Sequence, residues 1–384
     1  MLKKTVCVFL SCFVATALLP VYGNAGRISV AAESAVVLNA NTGEVLYSKN
    51  PYEKRGMAST TKIMTSLVAL EYGNLDDTVK AKAEDVAVEG TSIGLKAGDE
   101  ISLETLVAGM LLESGNDAAN VTASLISGSK EKFSELMNIK AKELGLCSTN
   151  FKNPSGLTEE GHYSTAYDMA LLGAAAIKNK KFKEICSSKK YKAVYGTPNY
   201  ERTFYNHNKF LNLFDGAVGI KTGFTKASGR CLVTAAERDG ATLVAVTLND
   251  RDDWNDHVKM LQYAFGMLTQ KRAEFDAESV KIPVVGSEKK YVGVELSSPL
   301  SFSAATDFTS YKTVVYAKPF LYAGVLKGDY VGRVDVVNKE GKVIKSSYLV
   351  STESAPAKEI EYNGENVFQK ILNKIRKGLS QRQT

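Results

Sequence analysis

Strand-like runs sit at both ends of a long helical middle, and this separation limits the folds open to the chain. Near the front, AVVL (35–38) and EVLY (44–47) flank Asn41-Thr42-Gly43, a turn signal, so 34–47 reads as a hairpin. Far downstream, GIKTGFT (219–225), RCLVTAAE (230–237) and TLVAVTLN (242–249) are apolar runs of strand length. Arg238-Asp239-Gly240 joins the last two through a tight turn. Between these groups the apolar spacing is helical: 61–72, stopped by Gly73-Asn74, then 102–114, 116–127, 131–144, and 164–177 behind a capping residue. One more helix is expected at 253–270. Strands from both ends must meet while the middle packs over them. The expectation is an α+β fold over 26–276, an antiparallel sheet covered by helices.

From 277 the texture changes. YVGVEL, TVVYAK, YVGRVDVV and VIKSSYLV alternate apolar and polar residues between Gly and Lys turns, which predicts a small all-β sandwich domain over 277–358. STESAPAKE leads out of it, and 359–384 is expected to be linker and amphipathic helix. There Val367, Phe368, Ile371, Leu372, Ile375 and Leu379 share one face and lysines and arginines fill the other. A terminal helix of that kind fits a membrane surface. At the other end, Lys3 and Lys4, the apolar run Thr5–Leu19, Pro20 and the small residues Gly23 and Ala25 make 1–25 a secretory signal peptide. The expected location is therefore outside the cytoplasmic membrane, bound peripherally to its outer face or secreted.

Charge excludes one class. The net charge of +6 is accounted for by +2 in the signal segment and +4 in 362–384, leaving 26–361 formally neutral. Nucleic-acid binding needs a basic face on the body, so no nucleic-acid partner is expected. Cys147, Cys186 and Cys231 are an odd, scattered set and no disulfide framework. His162, His207 and His257 show no metal-ligand spacing and read as structural histidines, so neither a metal nor another cofactor is expected.

The chemistry concentrates in three short motifs. Ser59-x-x-Lys62 opens a helix, Ser114-Gly115-Asn116 closes one, and Lys221-Thr222-Gly223 lies on a strand. Ser-x-x-Lys recurs at Ser127, Ser129, Ser187 and Ser287, and Ser-x-Asn at Ser48 and Ser148, so neither motif is specific alone. Lys-Thr-Gly occurs once, and the ordered set in its local setting is specific. Taken by itself, Ser59 is equally readable as an N-cap.

The set resembles the penicillin-recognising serine acyl-transferases, which include penicillin-binding proteins and class A β-lactamases. ASTTKIMT, LLESGNDAAN, TNFKNPSGL, HYSTAYDMA, HNKFL, IKTGFT and GRCLVTAAERDG look like segments of the low-molecular-mass penicillin-binding proteins, the serine-type D-alanyl-D-alanine carboxypeptidases. The likeness extends over nearly the whole chain after the signal. It implies a β-lactamase/transpeptidase-like catalytic fold. It also implies a peptidoglycan stem peptide ending in D-Ala-D-Ala as substrate, and acylation by β-lactams. Phe224 follows Lys-Thr-Gly where some relatives have histidine or tyrosine.

The residues carry matching roles. Positions i and i+3 of a helix share a face, so the Lys62 amine can reach Ser59 and act as its base if it is neutral. Burial and a nearby cation, Lys221, would lower its pKa. Ser114 can relay the proton to the leaving amine, and Asn116 can hold Lys62 or a substrate amide. Backbone N–H groups of Ser59 and Phe224 would form the oxyanion hole. Lys221 and Thr222 can bind a terminal carboxylate, with Arg202 and Arg251 as further candidates, and Gly223 is expected bare so that a peptide can approach the strand.

Two other readings compete. A class A β-lactamase should carry Ser-Asp-Asn and a Glu-x-x-Leu-Asn base; here Gly115 takes the middle position, and no Leu-Asn pair has that glutamate. A β-lactam sensor or cell-wall binding module that is acylated without turnover usually brings a membrane helix and an output domain.

Overall fold

The computed structural model describes residues 28–305, 311–359, 369–372 and 374–375. The expected signal segment and most of the expected tail helix lie outside these residues.

The front hairpin and the three downstream runs join in one five-stranded antiparallel sheet. Its strand order is Val45–Lys49, Ser34–Asn39, Ala241–Leu248, Gly229–Arg238, Ala217–Thr225. The closing contact pairs Val36 with Val246, and Val246 with Val233 on its other side. Arg238 pairs with Ala241 around Asp239 and Gly240, at φ 49° and 75°. This is a two-residue turn whose twist suits the strands it joins.

Alternating side chains send Val36, Val233, Val244 and Val246 into a core shared with helices Lys62–Tyr72, Leu103–Leu112, Asn116–Ser127 and Ala166–Lys178. Val37, Leu243 and Ala245 point the other way, against Met260, Leu261 and Ala264 of helix Asp253–Met267. The sheet is thus covered on both faces, and its last strand, Ala217–Thr225, is an edge.

Helix Asp253–Met267 stops short of the expected 270. Leu268 is extended, and Thr269–Arg272 pairs with Ser301–Ala304. Two antiparallel ribbons were not anticipated, Thr78–Lys80 with Glu100–Ser102 and Lys190–Tyr195 with Tyr200–Tyr205.

A second core gathers around a six-stranded sheet. The order is Tyr311–Ala317, Tyr330–Asn338, Val343–Ser351, Tyr291–Leu296, Lys281–Val285, Leu321–Tyr322, with only the last pair parallel. Val292, Val294, Val334, Val336 and Leu349 fill this core, together with Ala273, Phe302 and Ala304 from the neighbourhood of the Thr269–Arg272 ribbon. That ribbon ties the two sheets together: Asn39 Nδ2 donates to Ser303 O at 3.0 Å and Gln270 Nε2 to Asp239 O at 2.8 Å.

Candidate active site

Ala58–Thr61 is a single 3-10 turn that runs into helix Lys62–Tyr72. Ala58 has φ 47°, a conformation that non-glycine residues rarely adopt. Ser59 makes no capping bond; its hydroxyl lies 3.0 Å from Lys62 Nζ. The capping reading therefore fails, and the serine faces the lysine one turn on.

Lys62 is fully buried. Besides Ser59, its amine meets Asn116 Oδ1 and the Ser155 carbonyl, each at 2.7 Å. Asn116 Nδ2 donates to Glu89 O at 2.6 Å, which fixes the amide with its oxygen toward Lys62. Burial first, and Lys221 second, push the Lys62 pKa well below the usual lysine value, while Asp117 opposes them. A neutral amine has two N–H bonds and one lone pair. The amide and backbone oxygens can only accept, so they take the two N–H groups. The lone pair is left for the Ser59 hydroxyl.

Ser114 sits between helices Leu103–Leu112 and Asn116–Ser127 at φ 64°, nearly buried. Its carbonyl accepts from Thr91 Oγ1 at 2.6 Å, and Thr91 O accepts from Asn116 N at 2.8 Å. Lys62 Nζ has its three partners elsewhere, so Ser114 is close in the chain to Asn116 without joining that hydrogen-bond set. Next to Asn116, the buried Asp117 carboxylate accepts from Ser92 Oγ and from the N–H groups of Ile93 and Leu95. It pins the 89–95 loop over the helix start. Sequence reasoning missed this; the acid directly after Ser-Gly-Asn was the available signal.

Lys221 is also buried, and burial pushes its pKa down to about 7. Its amine donates to Thr222 O at 2.9 Å. Thr222 is partly exposed and Phe224 is exposed at the strand end. A Cβ at Gly223 would lie 3.0 Å from the backbone nitrogens of both Ser59 and Thr60. The strand and the nucleophile's turn meet backbone to backbone, which by itself calls for a bare residue there.

Gly156 was not singled out, and the histidines take definite places around the site and sheet. Gly156, at φ 87°, passes so close to Ala58 that a Cβ would lie 2.0 Å from the Ala58 carbonyl oxygen, and this approach delivers the Ser155 carbonyl to Lys62. His162 Nδ1 accepts from Lys152 N at 3.0 Å, so Nε2 carries the hydrogen and donates to Thr61 Oγ1 at 2.9 Å. Burial lowers the His162 pKa to about 4. The imidazole borders a cavity of about 200 Å³ beside Met57, Ala58 and Gly156. His257 is likewise enclosed, between Thr234 and Thr247, and His207 pairs with Glu113 at 3.1 Å.

The arginine candidates separate. Arg202 is engaged elsewhere, bonded to Ile93 O and Tyr195 Oη and stacked over Tyr195 and Tyr200. Arg251 is exposed and follows Asp250, whose N–H bonds to the carbonyl of Arg230, the register partner of Phe224. It lies at the end of the sheet that carries Phe224.

A serine held by a buried lysine, with a second buried lysine on the edge strand of an antiparallel sheet, is the arrangement of the penicillin-recognising serine hydrolases. Within that class the chain belongs to the D-alanyl-D-alanine carboxypeptidase family, whose profile matches residues 22–252. It is 34% identical to the D-alanyl-D-alanine carboxypeptidase DacF of Bacillus subtilis over 335 residues, 84% of this chain and 85% of that protein. To DacC of Escherichia coli it is 33% identical over 349 residues, 85% and 84% of the two chains. Among solved structures, the carboxypeptidase DacD of Francisella tularensis superposes with a TM-score of 0.61 at 26% identity, covering 87% of this chain and 95% of that one. The Streptomyces K15 DD-transpeptidase gives 0.60 at 31% identity, covering 63% and 99%.

Proposed function

We propose that this chain is an exported serine-type D-Ala-D-Ala carboxypeptidase that trims peptidoglycan stem peptides through an acyl-enzyme on Ser59. The observation that carries the reading is the placing of the buried Lys62 Nζ, 3.0 Å from Ser59 Oγ and 2.7 Å from two oxygens that can only accept, in surroundings that push its pKa down. Lys62 takes the hydroxyl proton as Ser59 Oγ attacks the carbonyl carbon of the penultimate D-Ala. The N–H groups of Ser59 and Phe224 hold the oxyanion. Lys221 and Thr222, with Arg251 at the same sheet end, receive the terminal carboxylate, which accounts for an exopeptidase. The proton passes through Lys62 and Ser114 to the amine of the departing D-Ala, and water then cleaves the ester. β-Lactams acylate the same serine.

The remaining parts of the reading concern location. Residues 1–25 serve as a signal peptide, 26–276 as the catalytic domain, 277–358 as a spacer, and the tail as a membrane-surface helix. Ile371, Leu372 and Ile375 are helical and about half exposed, which supports the tail assignment. Among the described residues no helix is long and apolar enough to cross a membrane.

Two measurements test the reading. Labelled penicillin should modify the peptide containing Ser59 and leave Ser59→Ala unlabelled. D-Ala should be released from a D-Ala-D-Ala peptide by the parent alone. Label on another serine, or D-Ala release by Ser59→Ala, would end the assignment.

A further inference from the structure

The six-stranded sheet ends in an apolar edge that, among the described residues, nothing in its own domain covers. Pro283 pairs with Tyr291, and Val285 with Tyr322, so register sets these four side chains on one outer face. All four are exposed, Tyr322 by 73%. Phe320 extends the patch, its ring 5.4 Å from that of Tyr322. Leu326, 62% exposed, lies on the adjoining loop, bonded through its N–H to Asp329.

The chain leaves the domain at this patch. Gly324 N donates to Ala355 O, Ala355 N to Val325 O, and Lys358 N to Gly286 O, one residue beyond Val285. Everything after Lys358, including the basic amphipathic tail, therefore starts beside the apolar edge. Exposed lysines ring the same place: Lys281, Lys290, Lys327 and Lys358. Glu353 is tied to Lys289 and Asp329 accepts the Leu326 N–H, while Glu288 and Glu359 are exposed beside Lys289 and Lys358. Tyrosine, phenylalanine and leucine within a lysine rim have the composition of a surface that sits at the headgroup level of an anionic bilayer.

We propose that this edge is a second lipid-contacting surface, seated on anionic membrane next to the tail. The inference rests on the tail being a membrane helix, because only a tail held at the bilayer brings the edge to it. The edge then fixes how the protein stands. A single helix on a linker leaves the domain free to swing, whereas two contacts at one end hold the sheet upright and set the height of Ser59 above the bilayer. Tyr316, Tyr330 and Tyr348 are exposed on the first three strands, where Arg333 stacks on Tyr316 at 5.0 Å and Tyr330 packs with Tyr348; they are the comparison surface, away from the point where the chain leaves the domain.

The test uses full-length variants and vesicles of phosphatidylglycerol and phosphatidylcholine, with penicillin labelling as the check that each variant is folded. Tyr322→Ser/Leu326→Ser should weaken vesicle partitioning about tenfold through lost apolar insertion. Tyr316→Ser/Tyr348→Ser should partition like the parent. Leu326→Trp should be quenched by brominated lipid. An edge variant that binds like the parent, equal loss in both double variants, or an unquenched Trp on bound protein (an edge covered by the tail instead of lipid) overturns the proposal. Ile371→Asp/Ile375→Asp separates it from the tail reading. Loss there with a parent-like edge variant leaves the tail standing without the edge. A parent-like tail variant with a weakened edge variant removes the tail helix and with it overturns the two-contact arrangement proposed here.

Discussion

Asn116→Asp is the substitution that most directly tests whether Lys62 works as a neutral base. Asn116 is nearly isosteric with aspartate and almost fully buried, and its Oδ1 already lies 2.7 Å from Lys62 Nζ. Placing a carboxylate there sets a unit charge beside the amine at a known distance. At 2.7 Å and an effective dielectric of about 20, the attraction to an ammonium is about 6 kcal/mol, or roughly four pKa units. Desolvation of the new carboxylate offsets part of this, and half of it still raises the Lys62 pKa by about two units. The buried amine, now held low by burial and Lys221, becomes an ammonium at neutral pH. All three of its positions are then N–H groups, and Ser59 loses its proton acceptor. Acylation at pH 7 should fall at least about 100-fold, the scale of a lost general base. The acidic limb of the acylation-rate profile should move up by about two pH units or more, with partial recovery at high pH. The assay is the rate of labelling by a fluorescent penicillin between pH 5 and about 10. Were the limb of Asn116→Asp to stay at its parent position while the protein remained folded, Lys62 would not be the base.

Three other outcomes are expected. Lys221→Gln removes a neighbouring cation from Lys62, so the acidic limb should move to higher pH, read in the same labelling assay. Gly156→Ala should cost at least about 3 kcal/mol by denaturant unfolding, because its Cβ would meet the Ala58 carbonyl oxygen at 2.0 Å in a backbone at φ 87°. His162 titrates near 4 when folded against 6.5 when free, so the unfolded chain binds the extra proton between those values. Stability should therefore drop as pH falls through that window, by about 3 kcal/mol from this group. His162→Gln should flatten that part of the stability profile and leave the rest unchanged.

Much of this was legible because it is local. Ser59 and Lys62 are one turn apart where a 3-10 turn runs into a helix, so their contact needs only local helical geometry. The three runs ending at Asn249 and the front hairpin announced the sheet, since only strands at both ends could close it. What stayed hidden depends on backbone far away. The Ser155 carbonyl reaches Lys62 only because Gly156 lets its loop touch Ala58, and no side-chain pattern encodes a carbonyl acceptor. Thr61 and His162 meet across 101 residues. The Lys190–Tyr195 strand was missed because most of its side chains face solvent or its rim, and only Ala193 and Tyr195 are buried. Residues 268–270 fit a helix by local preference, and pairing with Ser301–Ala304 overrides it.

The two buried lysines acquire a common logic once the substrate's charge is considered. Burial pushes the Lys221 pKa down to about 7, so its charge at neutral pH responds to what binds beside it. A carboxylate arriving at the strand end favours its protonated form, as an opposite charge does for any buried amine. In the proposed mechanism that cation adds to burial in lowering the Lys62 pKa, which favours the form Ser59 needs as a proton acceptor. On this assignment a ligand without a terminal carboxylate occupies the cleft but leaves the base less well poised. Its loss should therefore appear in the acylation step as well as in binding. Asn116 and the Ser155 carbonyl complete the device by holding the amine still without adding charge, which is why an amide serves next to Lys62 where a carboxylate would not.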